Sequence, residues 1–197
     1  MELISNLALA GGLSWASGLR LYITVFTVGM MNKFGYIHLP ATLDILSNPI
    51  VLGVAGLLAV VEFLADKIPY VDTAWDGIQT FIRIPAGALL AMGAINTPDP
   101  AIASIAALLG GSLAGATHAT KAGSRALINT SPEPVSNIAA SFGEESALIT
   151  GGWLVFAHPA VFIGVLCGFI VLMFWMLPKV WRGVKMVLGK LKFKIPN

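Results

Sequence analysis

The sequence predicts an all-α fold, a polytopic transmembrane helix bundle of about six spans, and three observations carry that reading. Hydrophobic residues make up 56% of the 197 positions and charged residues only 11%, whereas soluble domains carry about 25% charge. Mean hydropathy is +0.82. Several apolar runs approach the ~20 residues that a spanning helix needs. So little charge could not cover a water-facing surface, and a bilayer removes that demand. The bilayer is therefore the expected partner, and a net charge of +2 gives no reason to expect nucleic acid.

Six runs are candidates in chain order: residues 4–31, 49–65, 77–95, 101–117, 146–157 and 159–177. The first is long enough to cross with tilt, but Arg20 follows Ser17-Gly18 inside it and predicts a break. The third contains Arg83 and Pro85. The fifth is short unless it begins near Val135. The sixth holds no charge. Six crossings are the working count, with five and seven as alternatives. Residues 1–178 then form one transmembrane domain and 179–197 a basic tail.

Orientation follows from lysine and arginine near the span ends. The tail carries Lys179, Arg182, Lys185, Lys190, Lys192 and Lys194, which places it in the cytoplasm of a cell whose inner (plasma) membrane holds the chain. Counting back through six crossings puts the loops bearing Lys67, Lys121 and Arg125, and the N-terminus, on that same side. Residues 33–48 fall outside. In the tail, Trp181, Val184, Val187, Leu188 and Leu191 alternate with lysines as in an amphipathic helix lying on an anionic surface. The N-terminus lacks the basic lead of a secretory signal. The single cysteine, Cys167, lies in an apolar run and reads as a packing residue.

Two stretches are alike. Pro69-Tyr-Val-Asp72 and Pro134-Val-Ser-Asn137 each precede an apolar span and follow a basic polar loop, which suggests repeated helix-elbow-helix units at about 49–97 and 101–157. Transporter folds commonly grow from such repeats. Glycines at 11–12, 53, 56, 110–111 and 115 suit close helix packing or, alternatively, a self-association face of a homo-oligomer.

Three constellations could bind a substrate or ion. Arg20 lies at membrane depth, where a centred charge costs about 2.5–3.5 kcal/mol on the insertion scale; it needs a carboxylate, backbone carbonyls or an anionic ligand. Asp66, Asp72 and Asp76 are its expected partners, with Glu144 as the rival. Glu62, Asp66, Lys67, Asp72 and Asp76 form an acidic elbow, with Glu62/Asp66 and Asp72/Asp76 each four residues apart on one helix face. It could bind a cation or relay protons, or simply cap helices, Pro69 fitting a helix start. Lys121, Arg125 and Asn129 recur every four residues and, with Asn137, Ser141, Glu144 and Glu145, could meet an anionic solute or pair internally. Ser131-Pro132-Glu133-Pro134 reads as a rigid turn. His38, His118 and His158 have no metal-type spacing, and no nucleophile elbow or phosphate loop appears. Neither enzyme activity nor a cofactor is expected, and the metal question stays open.

Gly18-Leu-Arg20-Leu-Tyr22, Glu62-Phe-Leu-Ala-Asp66-Lys67-Ile-Pro69-Tyr-Val-Asp72, and Lys121-Ala-Gly-Ser-Arg125 continuing to Asn137 occur in that order. Together they resemble the bacterial membrane family catalogued as domain of unknown function 4126, a resemblance that implies a membrane protein and assigns no activity. Residues 62–67 also partly resemble the Glu-x-Gly-Asp-Lys motif of a manganese and calcium exporter family, but Glu62 and Asp66 stand one residue too far apart and the glycine is missing. The leading expectation is a small transporter or channel for an ion or solute, with its site built from the elbows and Arg20. The alternative is a membrane-anchored interaction or lipid-headgroup-binding protein.

Overall fold

The computed structural model describes residues 2–68, 71–129 and 134–192, and every element among them is helical. The expected helix start at Pro69 and the Ser131-Pro132-Glu133 turn lie outside the described residues, as do the tail side chains of Val184, Val187, Leu188 and Leu191. The long helices are α1 (Glu2–Lys33), α2 (Pro49–Ala65), α3 (Val71–Ile95), α4 (Pro100–Ile128), α5 (Pro134–Ala157) and α6 (Pro159–Lys192), with a 3-10 helix at Ala41–Ser47 before α2. Local chemistry sets two of the starts. Asn48 and Asp99 each accept from the amide two residues on at 2.8 Å, and each is followed by proline at the first helical position. Both features satisfy a helix end that lacks intrahelical partners.

The break expected in the first run is present. Arg20 takes an extended conformation (φ −149, ψ 94), dividing α1 into limbs of residues 2–19 and 21–33. The first limb runs antiparallel to α3: Ser14 Oγ donates to Gly87 O at 3.1 Å, and Arg83 donates to Gly18 O at 3.1 Å. The second limb runs antiparallel to α2, with Arg20 beside Asp66, Phe26 beside Gly56 and Gly29 beside Leu52. α1 therefore folds back, and both its ends lie where α3 finishes and α2 begins. Glu2 and Asn6 share a cavity there with His38, Pro40 and Asn96. α6 finishes at the other end, with Val180 against Gly123 and Gly183 against Leu127 of α4.

The limbs of α1 and the helices α2–α6 thus make seven alternating segments among the described residues. The acidic and basic elbows do lie at the end of the bundle where α6 finishes, but the N-terminus lies at the opposite end.

The bundle has a membrane protein's distribution of polarity. Leu57, Leu108 and Val171 are about 70% exposed, while the guanidinium-bearing Arg20 and Arg83 and the carboxylate of Glu62 are at most 2% exposed. Ala74–Ile95, Pro100–Ile128 and Pro159–Gly183 are long and apolar enough to cross a membrane, and Ala41–Ser47 with Pro49–Ala65, bent by 63°, would make a fourth. α1, split at Arg20, and α5, polar through its first half, fall short of that measure. Among the described residues, three helices, or four with the bent pair, thus pass that measure of length and composition.

Candidate functional site

Two helical stripes face each other at the elbow end. On α3, Asp72, Asp76, Gln79 and Arg83 recur every three or four residues; on α4, His118, Lys121, Arg125 and Asn129 do the same. Such spacing puts each set on one helix face, and all eight side chains are buried. The close crossing that brings the stripes together uses Gly87 and Gly110, where a Cβ would collide with Ala114 and Ala91 respectively. α2 adds Glu62 and Asp66, α5 adds Asn137, Ser141, Glu144 and Glu145, and the α1 break delivers Arg20.

Arg20 is 2% exposed, and its guanidinium lies 2.7 Å from Asp66, 3.4 Å from Glu145 and 3.7 Å from Glu144. It also donates to Ser141 Oγ at 2.7 Å. Asp66 is therefore its closest carboxylate. Lys121 bridges Asp66 at 3.3 Å, Glu144 at 3.5 Å and Asp76 at 3.8 Å, and donates to Leu19 O at 3.0 Å. That carbonyl is next to the break in α1. Arg125 binds Glu144 at 3.0 Å and Asn137 Oδ1 at 2.7 Å, tying α4 to α5. Asn129 Nδ2 meets Asp72 at 3.4 Å. Lys67, partly exposed, lies 3.2 Å from the Phe63 ring centre and 3.4 Å from Glu145. Asp72 and Asn137, expected as equivalent elbow residues, both sit in the first turns of their helices and both contact α4.

Arg83 and His118 belong to the network although neither was among the site residues expected from the sequence, and Gln79, on the same α3 stripe, donates to Tyr22 Oη at 3.2 Å. Arg83 binds Glu62 at 2.5 Å and Asp76 at 3.4 Å. Its Nη1 lies 2.9 Å from His118 Nδ1. A guanidinium only donates, so Nδ1 accepts and the ring proton is on Nε2; it points to Asp76 O at 3.0 Å. Arg83 carried the same signal as Arg20, a charge inside an apolar span. His118 had a weaker one: it lies three residues before Lys121, on the same stripe.

Arg20, Lys67, Arg83, Lys121 and Arg125 supply five positive charges, and Glu62, Asp66, Asp72, Asp76, Glu144 and Glu145 supply six negative ones. The network so written carries one surplus carboxylate charge. The acceptors are also unevenly matched. Both Asp76 oxygens, Asp72 Oδ1, Glu62 Oε2 and Gln79 Oε1 are buried without a hydrogen-bond partner, although Asp76 has its two cations within ion-pair distance. Unmatched buried acceptors are costly, and a proton or small cation would relieve them. Asp72, just before the span Ala74–Ile95, shows that pressure: burial raises its carboxyl from 3.8 to about 7, against the opposing pull of Arg125. Among the described residues no group of three or more His, Cys, Asp or Glu is arranged to hold a metal ion.

The chain belongs to the family described as Domain of unknown function (DUF4126), which it matches over residues 7–179. No curated protein and no solved structure matches it.

Proposed function

We propose that this family member, whose family description assigns no activity, is a small transporter that moves an ion or small solute through the polar centre of its bundle. The observation that carries this reading is the buried charged cluster beside the broken helix α1, in which four carboxylate oxygens of Glu62, Asp72 and Asp76 lack a hydrogen-bond partner although Glu62 and Asp76 lie within ion-pair distance of cations. A buried polar group left without a hydrogen bond is expensive, so a site that keeps several such acceptors is suited to a transient occupant. Here Asp76, Asp72 and Glu62 would hold the moving proton or cation, while Lys121 and Arg125 balance the carboxylates or hold an anionic solute. Broken helices lining a midplane site recur in transporters, and the Arg20 junction would serve as the hinge for alternating access.

The experiment is flux into liposomes containing the purified full chain, under imposed proton, sodium, potassium and phosphate gradients in turn. Gradient-dependent flux that Asp76→Asn abolishes is the expected result. Correctly folded protein that passes none of these above protein-free liposomes would overturn the reading. We place the elbow end and the basic tail in the cytoplasm of the inner membrane. In a Cys167→Ala background, Leu3→Cys and Lys185→Cys should then react with an impermeant maleimide from opposite sides, only Leu3→Cys from outside intact cells. Labelling of both from one side would refute the fold-back of α1.

A further inference from the structure

The charged network leaves one of its acids without a cation. Glu62 has Arg83 at 2.5 Å, Asp66 has Arg20 at 2.7 Å, and Glu144 has Arg125 at 3.0 Å. Glu145 lies 3.4 Å from both Arg20 and Lys67, and Asp76 lies 3.4 Å from Arg83 and 3.8 Å from Lys121. Asp72 has no lysine or arginine within ion-pair distance among the described residues. It is 0% exposed, in the first turn of α3. Asn129 Nδ2 donates to its Oδ2 at 3.4 Å, while Oδ1 is buried and accepts no hydrogen bond. The extra negative charge of the network therefore falls on Asp72.

The surroundings select what can neutralise it. A metal ion needs several converging oxygens, and neighbouring cations repel it. Arg125 and Lys121 of α4 act on Asp72, and Arg83 and Lys121 lie beside Asp76. No group of three or more His, Cys, Asp or Glu among the described residues is arranged to hold a metal. A larger cation would need an opening beside a carboxyl that is 0% exposed. A proton needs neither a coordination shell nor room.

We propose that Asp72 is the site at which the network takes up a proton from the elbow end, and that the proton is the coupling ion of the transporter. The coupling rests on the transporter reading above; the proton site does not. In the uptake a hydronium ion gives its proton to the Asp72 carboxylate and leaves as water, which brings six acids and five bases into balance. Asp76 is one turn deeper on the same helix face and keeps both oxygens without a hydrogen-bond donor, so it is the next acceptor for the Asp72 hydroxyl. Arg83 and Lys121 beside Asp76 oppose protonation there, which leaves the proton on Asp72. The groups around Asp72 fit this placement: burial raises its carboxyl to about 7, Arg125 and Lys121 oppose the rise, and Asp76 and Asp66 add to it.

Infrared spectroscopy reads the proton directly, because a protonated carboxyl has a C=O stretch that a carboxylate lacks. The full chain in nanodiscs is titrated from about pH 5 to about pH 8, a range in which an ordinary aspartate is ionised. One carboxyl band should disappear with a midpoint of about 7. It should be missing in Asp72→Asn, shifted in frequency in Asp72→Glu, and unchanged in Asp44→Asn, which alters an exposed carboxyl ahead of α2. Asp76→Asn should lower the midpoint by removing a neighbouring negative charge, a shift that a purely structural role would not produce. The wild-type titration and Asp72→Glu decide the matter even if Asp72→Asn does not fold. A folded wild-type chain without such a band, or a band that neither Asp72 substitution alters, would overturn the site. Coupling is read separately in liposomes. A proton gradient should drive flux, and Asp72→Asn should remove that drive. Flux driven by sodium at uniform pH would overturn the proton as coupling ion and leave transport standing. Liposomes that pass nothing would overturn coupling together with the transporter reading, and the infrared band would still decide the proton site.

Discussion

Replacing Arg20 by glutamine and Asp66 by asparagine, singly and together, tests whether the network is held by specific pairs. At 2.7 Å, an ion pair at an effective dielectric of 20 is worth about 6 kcal/mol of Coulomb attraction before desolvation is subtracted. Removing one partner of a buried pair typically costs about 3–5 kcal/mol. Arg20→Gln should fall at the low end of that range, because Asp66 keeps Lys121 at 3.3 Å, an attraction of about 5 kcal/mol on the same scale. Asp66→Asn should cost at least as much, since it takes the shared carboxylate from both Arg20 and Lys121. The double substitution removes one charge of each sign and leaves the net charge unchanged. It should be milder than the sum of the single changes by roughly 2 kcal/mol, within the range of about 0.5–3 kcal/mol seen for contacting residues. Unfolding of the full chain in detergent, followed by circular dichroism, gives the three free energies. If the single effects add to the double to within about 0.5 kcal/mol, the pair is not energetically coupled and the reasoning fails.

The raised Asp72 carboxyl has a definite sign. Between its ordinary value of 3.8 and about 7, the folded chain holds a proton that the unfolded chain releases, so this group's contribution to stability declines as pH rises through that window. Asp72→Asn should flatten the decline, and melting curves at pH 5 and pH 8 would show it; an unchanged slope would refute the assignment. At the α3–α4 crossing, Gly87→Ala would drive a methyl into Ala114 and should destabilise by about 1–3 kcal/mol. Gly53→Ala, which meets nothing within 4 Å, should be neutral or add up to about 1 kcal/mol through helix propensity. Equal losses at both positions would contradict the packing described.

The sequence by itself determined what is local and periodic. Low charge and apolar runs pointed to membrane helices, and Ser17-Gly18-Arg20 marked a break. The four-residue recurrence of Lys121, Arg125 and Asn129 exposed a polar stripe because helical period converts spacing directly into a shared face. Asp66 as a partner of Arg20 was foreseeable from the cost of an unpaired charge, but Glu145 in the same cluster and the Arg83–Glu62–His118 group were not. Those contacts join residues 21 to more than 100 positions apart, and no local pattern fixes which faces meet. The direction of the bend at Arg20 was likewise decided by the tertiary structure. A break removes helical conformation at one residue, but the limb beyond it goes wherever its apolar face can be buried, here back along α2. That single choice put the termini at opposite ends of the bundle and brought Arg20 to the carboxylates at the elbow end.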